Sequence, residues 1–134
     1  MRPVSAWFLA IVAVTTIVPG VLHAFLPDGG AGTIAGLDLS HRREVIVGVF
    51  AWAGATQIAW GGMLLLIALR VRSLVPAALT LVLLERSIVA LNLWLLKPGA
   101  AAHRPPEAYA TLVALPLIAL ALGLALTPTK ESRP

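Results

Sequence analysis

The sequence predicts an all-α integral membrane protein, a single domain of four transmembrane helices packed as an antiparallel up-down bundle. Three observations predict it. The 134 residues are 59% hydrophobic and only 12% charged, with a mean hydropathy of +0.92. A soluble domain of this size needs a polar shell, and there is too little polar material to build one, so lipid is the solvent for most of the surface. The apolar residues also gather in four runs, each near the roughly 20 residues that a spanning helix requires. None of the runs alternates as a strand would, and irregular backbone cannot cross lipid with its amides unpaired.

The helices are expected over residues 5–26, 45–69, 74–96 and 108–126. The first lies in an uncharged stretch between Pro3 and Pro27, and Pro19 is expected to kink it. It resembles a signal peptide in following Arg2, but its apolar run is long for that role and Leu22-His23-Ala24 is a poor cleavage site, so retention is expected. Glu44 and Arg70 bracket the second helix, and Asp38 or Ser40 is the expected cap at its start. The third is interrupted only by Glu85-Arg86. Pro98, Pro105 and Pro106 stop it and launch the fourth.

The connections differ. Arg70-Val71-Arg72-Ser73 is a tight turn that makes its two helices antiparallel neighbours. The longer first loop carries Gly29, Gly30, Gly32 and Gly36 and reads as a flexible connector, since Gly30-x-Gly32 lacks the Lys-Ser/Thr and preceding strand of a phosphate loop. Arg2, Arg70, Arg72, Lys130 and Arg133 fall on one side of the membrane, and Arg42, Arg43, Lys97 and Arg104 on the other. By the positive-inside rule both termini are cytoplasmic, in the cell inner membrane.

Composition also excludes functions. The formal charge of +4 is carried by residues in ones and twos beside apolar runs, not by a basic stripe with interleaved aromatics, so no nucleic-acid partner is expected. With no cysteine in the chain, disulfides, thiol nucleophiles and thiolate-held metals are absent. The histidines His23, His41 and His103 are scattered; His41 and Glu44 lack a third ligand, and no metal or other cofactor is implied.

What stands out is polar chemistry inside the apolar runs. An Arg or acidic residue at the bilayer centre costs about 2.5 to 3.5 kcal/mol on insertion scales, so Glu85 and Arg86 are expected to face the protein interior or a watery cavity. Adjacent residues point about 100° apart on a helix, so each needs a partner from another helix. Gln57, on an Ala53-Gln57-Gly61 stripe of helix two, is the expected partner at mid-depth. Thr16, Gly20 and His23 form a stripe on helix one, and Asn92 shares a face with Glu85. Gln57 and Asn92 read as inter-helix hydrogen-bonders or ligand contacts. These depths describe a chamber with Glu85, Arg86 and Gln57 at its floor, His23 and Asn92 toward its outer mouth, and Trp52, Trp60 and Trp94 as aromatic walls. Trp7 reads as an interfacial anchor. Helix four, mainly aliphatic beyond Tyr109 and Thr111, reads as a packing and lipid-facing element, with Ala119-xxx-Gly123 as a contact for a helix or a second copy.

The layout resembles the small four-helix DoxX-like membrane proteins and their bacterial relatives. The resemblance lies in Arg42-Arg43-Glu44 at the start of helix two, Gly48, Gly54 and Gly61-Gly62 along it, and Glu85-Arg86-Ser87 in helix three. It implies a four-helix bundle associated with redox or lipid metabolism and brings no catalytic residues with it. A chemical likeness to sterol isomerases of the emopamil-binding type lies in the side-chain menu of Glu, His, Asn and Trp.

The expected function is binding of a hydrophobic small molecule (an isoprenoid, sterol-like or quinone-type lipid) in the chamber, where such ligands need an apolar pocket with a few convergent polar groups. Whether the chain is an enzyme stays open. Any chemistry would be acid–base isomerisation, cyclisation or epoxide opening, with Glu85 moving the proton beside Arg86, and His23, Gln57 and Asn92 orienting the substrate. Two other readings stand beside it: a small proton-coupled transporter, and a non-catalytic subunit or assembly factor that shields a partner's membrane surface. The expected partners are membrane lipid, the ligand and a second copy.

Overall fold

A computed structural model of the protein describes residues 3–97, 104 and 106–127. Arg2, Pro98, His103, Pro105, Lys130 and Arg133, which entered the reading of loops and orientation, lie outside the described residues. The fold is all-α, with four long helices: α1 (Pro3–Phe25), α2 (Arg43–Arg70), α3 (Val75–Leu91) and α4 (Pro106–Leu126). A 3-10 turn, Arg72–Leu74, leads into α3, and a π-helical turn, Asn92–Leu96, prolongs it. Four helical segments are long and apolar enough to cross a membrane, the third running from Arg72 to Leu96. Only 22% to 28% of each span is buried, and large side chains such as Trp52, Leu66, Leu95 and Leu120 stand exposed. Water would not tolerate so much apolar surface. This is the build of a multi-pass membrane protein.

Helix ends follow local chemistry, with one departure from expectation. Pro76 sits in the first turn of α3 and Pro106 opens α4, positions where a missing N–H costs nothing. Neither Asp38 nor Ser40 caps α2. The Asp38 carboxylate instead accepts from the backbone N–H and hydroxyl of Ser40, closing a local turn, and α2 opens three residues later. Arg42, at a left-handed φ of 54°, turns the chain there, and its carbonyl accepts the N–H groups of Val45 and Ile46. Inside the spans, several hydroxyls are satisfied by their own helix. Thr16, Thr56, Thr80 and Ser87 each donate to the carbonyl four residues back, so none needs a partner elsewhere.

The chain forms two compact units, Ala10–Leu66 and the combination of Met1–Leu9 with Ile67–Pro134. In the first, α1 and α2 run antiparallel at near backbone contact. A Cβ at Gly54 would lie 2.6 Å from the Gly20 carbonyl and the Ala24 nitrogen, and one at Gly61 would lie 2.6 Å from Ile17 and 3.0 Å from the Ala13 carbonyl. The close approach thus runs along Gly54 and Gly61 with α1 as partner, one residue out of register with the predicted Ala53 start.

The first loop also belongs to this unit, and it is not a loose connector. The Asp28 carboxylate accepts from the N–H groups of Gly30, Gly32 and Thr33 and from the Thr33 hydroxyl, and Leu37 donates back to Ala31. These bonds hold the Asp28 carboxyl well below its ordinary 3.8, at about 2.

In the second unit α3 and α4 pack together. Val75, Ala78, Leu79 and Val82 of α3, with Ile118, Ala121 and Ala125 of α4, make its core. The start of α1 joins them through the Ser5 hydroxyl, which donates to the Ala121 carbonyl at 3.0 Å.

Candidate functional site

The α3–α4 unit holds the charged residues that the sequence singled out. On α3, Ala78, Val82, Glu85, Val89 and Asn92 follow one another at intervals of three and four, one line along the helix. Its first half is closed, with Ala78 and Val82 at 3% and 1% exposure. At Glu85 the line opens, and that side chain is 42% exposed. Arg86, one position on, points to the side and is far better covered, at 17%. Its Nε stands 3.3 Å from Glu85 Oε2, and its Nη1 donates to Glu107 Oε1 at 2.5 Å.

The partner expected for this pair from another helix is Gln57; the residue that meets Arg86 is instead Glu107, in the first turn of α4, one residue before the expected start of that helix. Two carboxylates around one guanidinium leave the cluster with a formal charge of −1. Glu85 Oε2 is buried and receives no hydrogen bond of good geometry from any described residue; its one close cation is the Arg86 Nε. A buried acceptor without a hydrogen bond is uncommon in a folded protein and calls for an explanation.

Beyond this cluster the π-helical turn reshapes the end of the span. Such turns leave carbonyls out of the regular ladder, and here the Leu93 carbonyl accepts from Arg104. Asn92 does not bond across helices: its Nδ2 donates to the Ile88 carbonyl on its own helix at 2.9 Å. The Trp94 Nε1–H reaches the Ala108 carbonyl at 3.2 Å. The Tyr109 ring meets the indole edge to face at 5.7 Å, and the Arg104 guanidinium lies 4.3 Å from the indole centroid. Trp94 is therefore the structural pin of the α3–α4 hairpin. Neither Arg104 nor Tyr109 was singled out from the sequence.

His23, Gln57, Trp52 and Trp60 lie in the α1–α2 unit. The His23 Nδ1–H donates to the Gly29 carbonyl at 2.7 Å, and Phe50 packs edge to face on the ring at 5.1 Å, so His23 ties the end of α1 to the first loop. Gln57 stands in the α1–α2 contact, its Cβ 2.9 Å from where a Gly20 Cβ would be. The buried Gln57 Oε1 has no hydrogen-bond donor among the described residues. Trp52 is no wall of a pocket in this unit. It lies nine residues before Gly61, about half a turn round the helix, and is 73% exposed. Trp60 is half-buried.

Among the described residues, no three His, Asp or Glu side chains gather to hold a metal ion. No protein-family model matches the chain, and no curated protein or solved structure matches it either.

Proposed function

We propose that this chain is a multi-pass protein of the cell inner membrane, with both termini cytoplasmic, that binds a hydrophobic small molecule of isoprenoid, sterol-like or quinone type with its polar end at Glu85. The observation that carries the reading is the place of Glu85 on α3. The line Ala78–Val82 below it is closed, the line at Glu85 is open, and Glu85 Oε2 there receives no well-formed hydrogen bond. A mostly apolar ligand with one hydroxyl or carbonyl group fits such a place. Arg86 positions the carboxylate and shares its own charge with Glu107. If the bound molecule is transformed, Glu85 is the group that gives or takes the proton in an isomerisation, cyclisation or epoxide opening. Kinship with the DoxX-like proteins is proposed on the same charged residues and on the α2 glycines.

The test compares lipids retained by the purified wild-type chain with those retained by E85Q, identified by mass spectrometry after extraction. Loss of a hydrogen bond to a charged group lowers retention of the specific lipid by about tenfold or more. Equal retention of every neutral lipid by the two chains refutes the role of Glu85.

A second reading, a non-catalytic subunit or a homo-oligomer, is favoured by Gly48 and Gly62 of α2 and Gly123 of α4. A Cβ at any of the three would meet nothing within 4 Å, which leaves small-residue surface free to receive a helix. Repeated purification of the chain alone, as a monomer in mild detergent, counts against it.

A further inference from the structure

We propose that the α3–α4 unit carries a second site, on the side of α3 turned away from Glu85, for a phospholipid with an anionic head group. Between the helices there runs an open groove of roughly 460 Å³, lined by Ser87, Ala90, Leu91 and Trp94 of α3 and by Leu112 and Leu115 of α4. Ser87 and Leu91 follow Glu85 by two and six residues, about 200° and 240° round α3, so the groove and the Glu85 place are distinct. Small side chains at Ser87 and Ala90 make the hollow, and the Ser87 hydroxyl is already satisfied by the Leu83 carbonyl at 2.7 Å. The walls are thus effectively apolar. From Ser87 to Trp94 the groove is about 10 Å long at 1.5 Å per residue, room for the upper part of an acyl chain.

Charge at one end selects the head group. Trp94 is both a wall of the groove and the platform on which Arg104 rests. Arg104 donates to the Leu93 carbonyl, which leaves most of the five guanidinium donors for another acceptor. Among the described residues no carboxylate pairs with it. Glu107, the nearest acid in sequence, is held by Arg86 at 2.5 Å, and exposed Lys97 follows the last turn of α3. Trp94 and Tyr109 mark this end as the level where bilayer meets water. A phosphate there meets the planar fork of Arg104 with paired hydrogen bonds, while its chain descends into the groove. An uncharged lipid has no use for the cation, and a zwitterionic head group brings its own.

The test uses the full chain with Trp7, Trp52 and Trp60 replaced by Phe, so that Trp94 alone emits, reconstituted with brominated phosphatidylglycerol or brominated phosphatidylcholine of identical chains. Phosphatidylglycerol is expected to bind beside Trp94 about fivefold more strongly, the effect of one cation on an anionic lipid at the surface. R104Q brings the two lipids level, and R104K, which keeps the charge but not the fork, retains part of the preference. Equal quenching by the two lipids overturns the site, as does a preference that survives R104Q or one lost equally in R104Q and R104K. Native mass spectrometry of the wild-type chain and R104Q with the same two lipids gives the same comparison without the tryptophan replacements. E85Q leaves the quenching unchanged, which separates this site from the one at Glu85.

Discussion

The α1–α2 pair and the α3–α4 pair face one difficulty, since lipid tails are as apolar as leucine and drive no helices together. They meet it in opposite ways. In α1–α2 the side chains are removed: Gly54 and Gly61 let the backbones come so near that a methyl group would touch main-chain atoms. In α3–α4 the side chains reach: Arg86 spans to Glu107, Trp94 to the Ala108 carbonyl, and Arg104 stacks on Trp94. Dispersion between close surfaces is spread over many atoms and forgives no added volume. Polar links sit in a few atoms and depend on chemistry more than on shape. One pair is vulnerable to volume and the other to charge.

The largest effect is expected where volume enters the glycine contact. Gly54→Val places carbon against the Gly20 carbonyl and the Ala24 nitrogen, and backbone cannot swing aside as a long side chain can. Overpacking of this kind costs about 1 to 3 kcal/mol, and the upper end is expected here. Gly62→Ala, on the open side of the same helix, stabilises slightly, by about 0.5 to 1 kcal/mol, through the lower backbone entropy of Ala. Unfolding titrations in mixed detergent micelles measure both, and equal costs at the two glycines would break the comparison.

A middling effect is expected from the charged cluster. Arg86→Leu leaves Glu85 and Glu107 without their shared cation and destabilises by about 2 kcal/mol, below the figure for a fully buried pair because both carboxylates are partly exposed. In a cycle of Arg86→Leu with Glu107→Gln, the double variant recovers part of the loss, with a coupling of about 1 kcal/mol. Strict additivity in that cycle would mean that the pair contributes nothing.

The smallest effect belongs to the first loop, whose order depends on the Asp28 carboxylate. Its carboxyl is lowered from 3.8 to about 2 by the N–H groups of Thr33 and Gly30 before any other cause. A lowered acid stabilises the folded loop fully above the unfolded value of about 3.9, and that contribution fades as pH falls through about 2. The amide resonances of Gly30 and Thr33 should therefore titrate near 2. A midpoint at the ordinary carboxyl value would show that the bonds are not held in solution.

Different parts of this molecule were legible to different degrees. The four helices fall within a few residues of the ranges read from the chain, because lipid solubility is a sum over neighbours in sequence. Glu85 and Arg86 were visible for the same reason, as charges where the run should have none. Glu107 was not visible as the partner of Arg86. It sits at the edge of an apolar run, where charges are ordinary, and only the packing of α3 on α4 brings it to 2.5 Å. Arg104 counts in the sequence only as a basic residue near a helix end, and Tyr109 only as an exception at the start of an aliphatic helix. Asp38 and Ser40 misled because a capping side chain with a nearer backbone group to bind closes a local turn instead.

By itself the sequence determined the solvent of this protein, the number and extent of its helices, and the rarity of charge within them. All of these depend on composition along a line. Only the tertiary structure decided which glycines of α2 meet α1, which acid answers Arg86, and which cation rests on Trp94. Those contacts depend on the rotation and register of one helix against another, where a shift of one residue turns a side chain by about 100° and exchanges one partner for another.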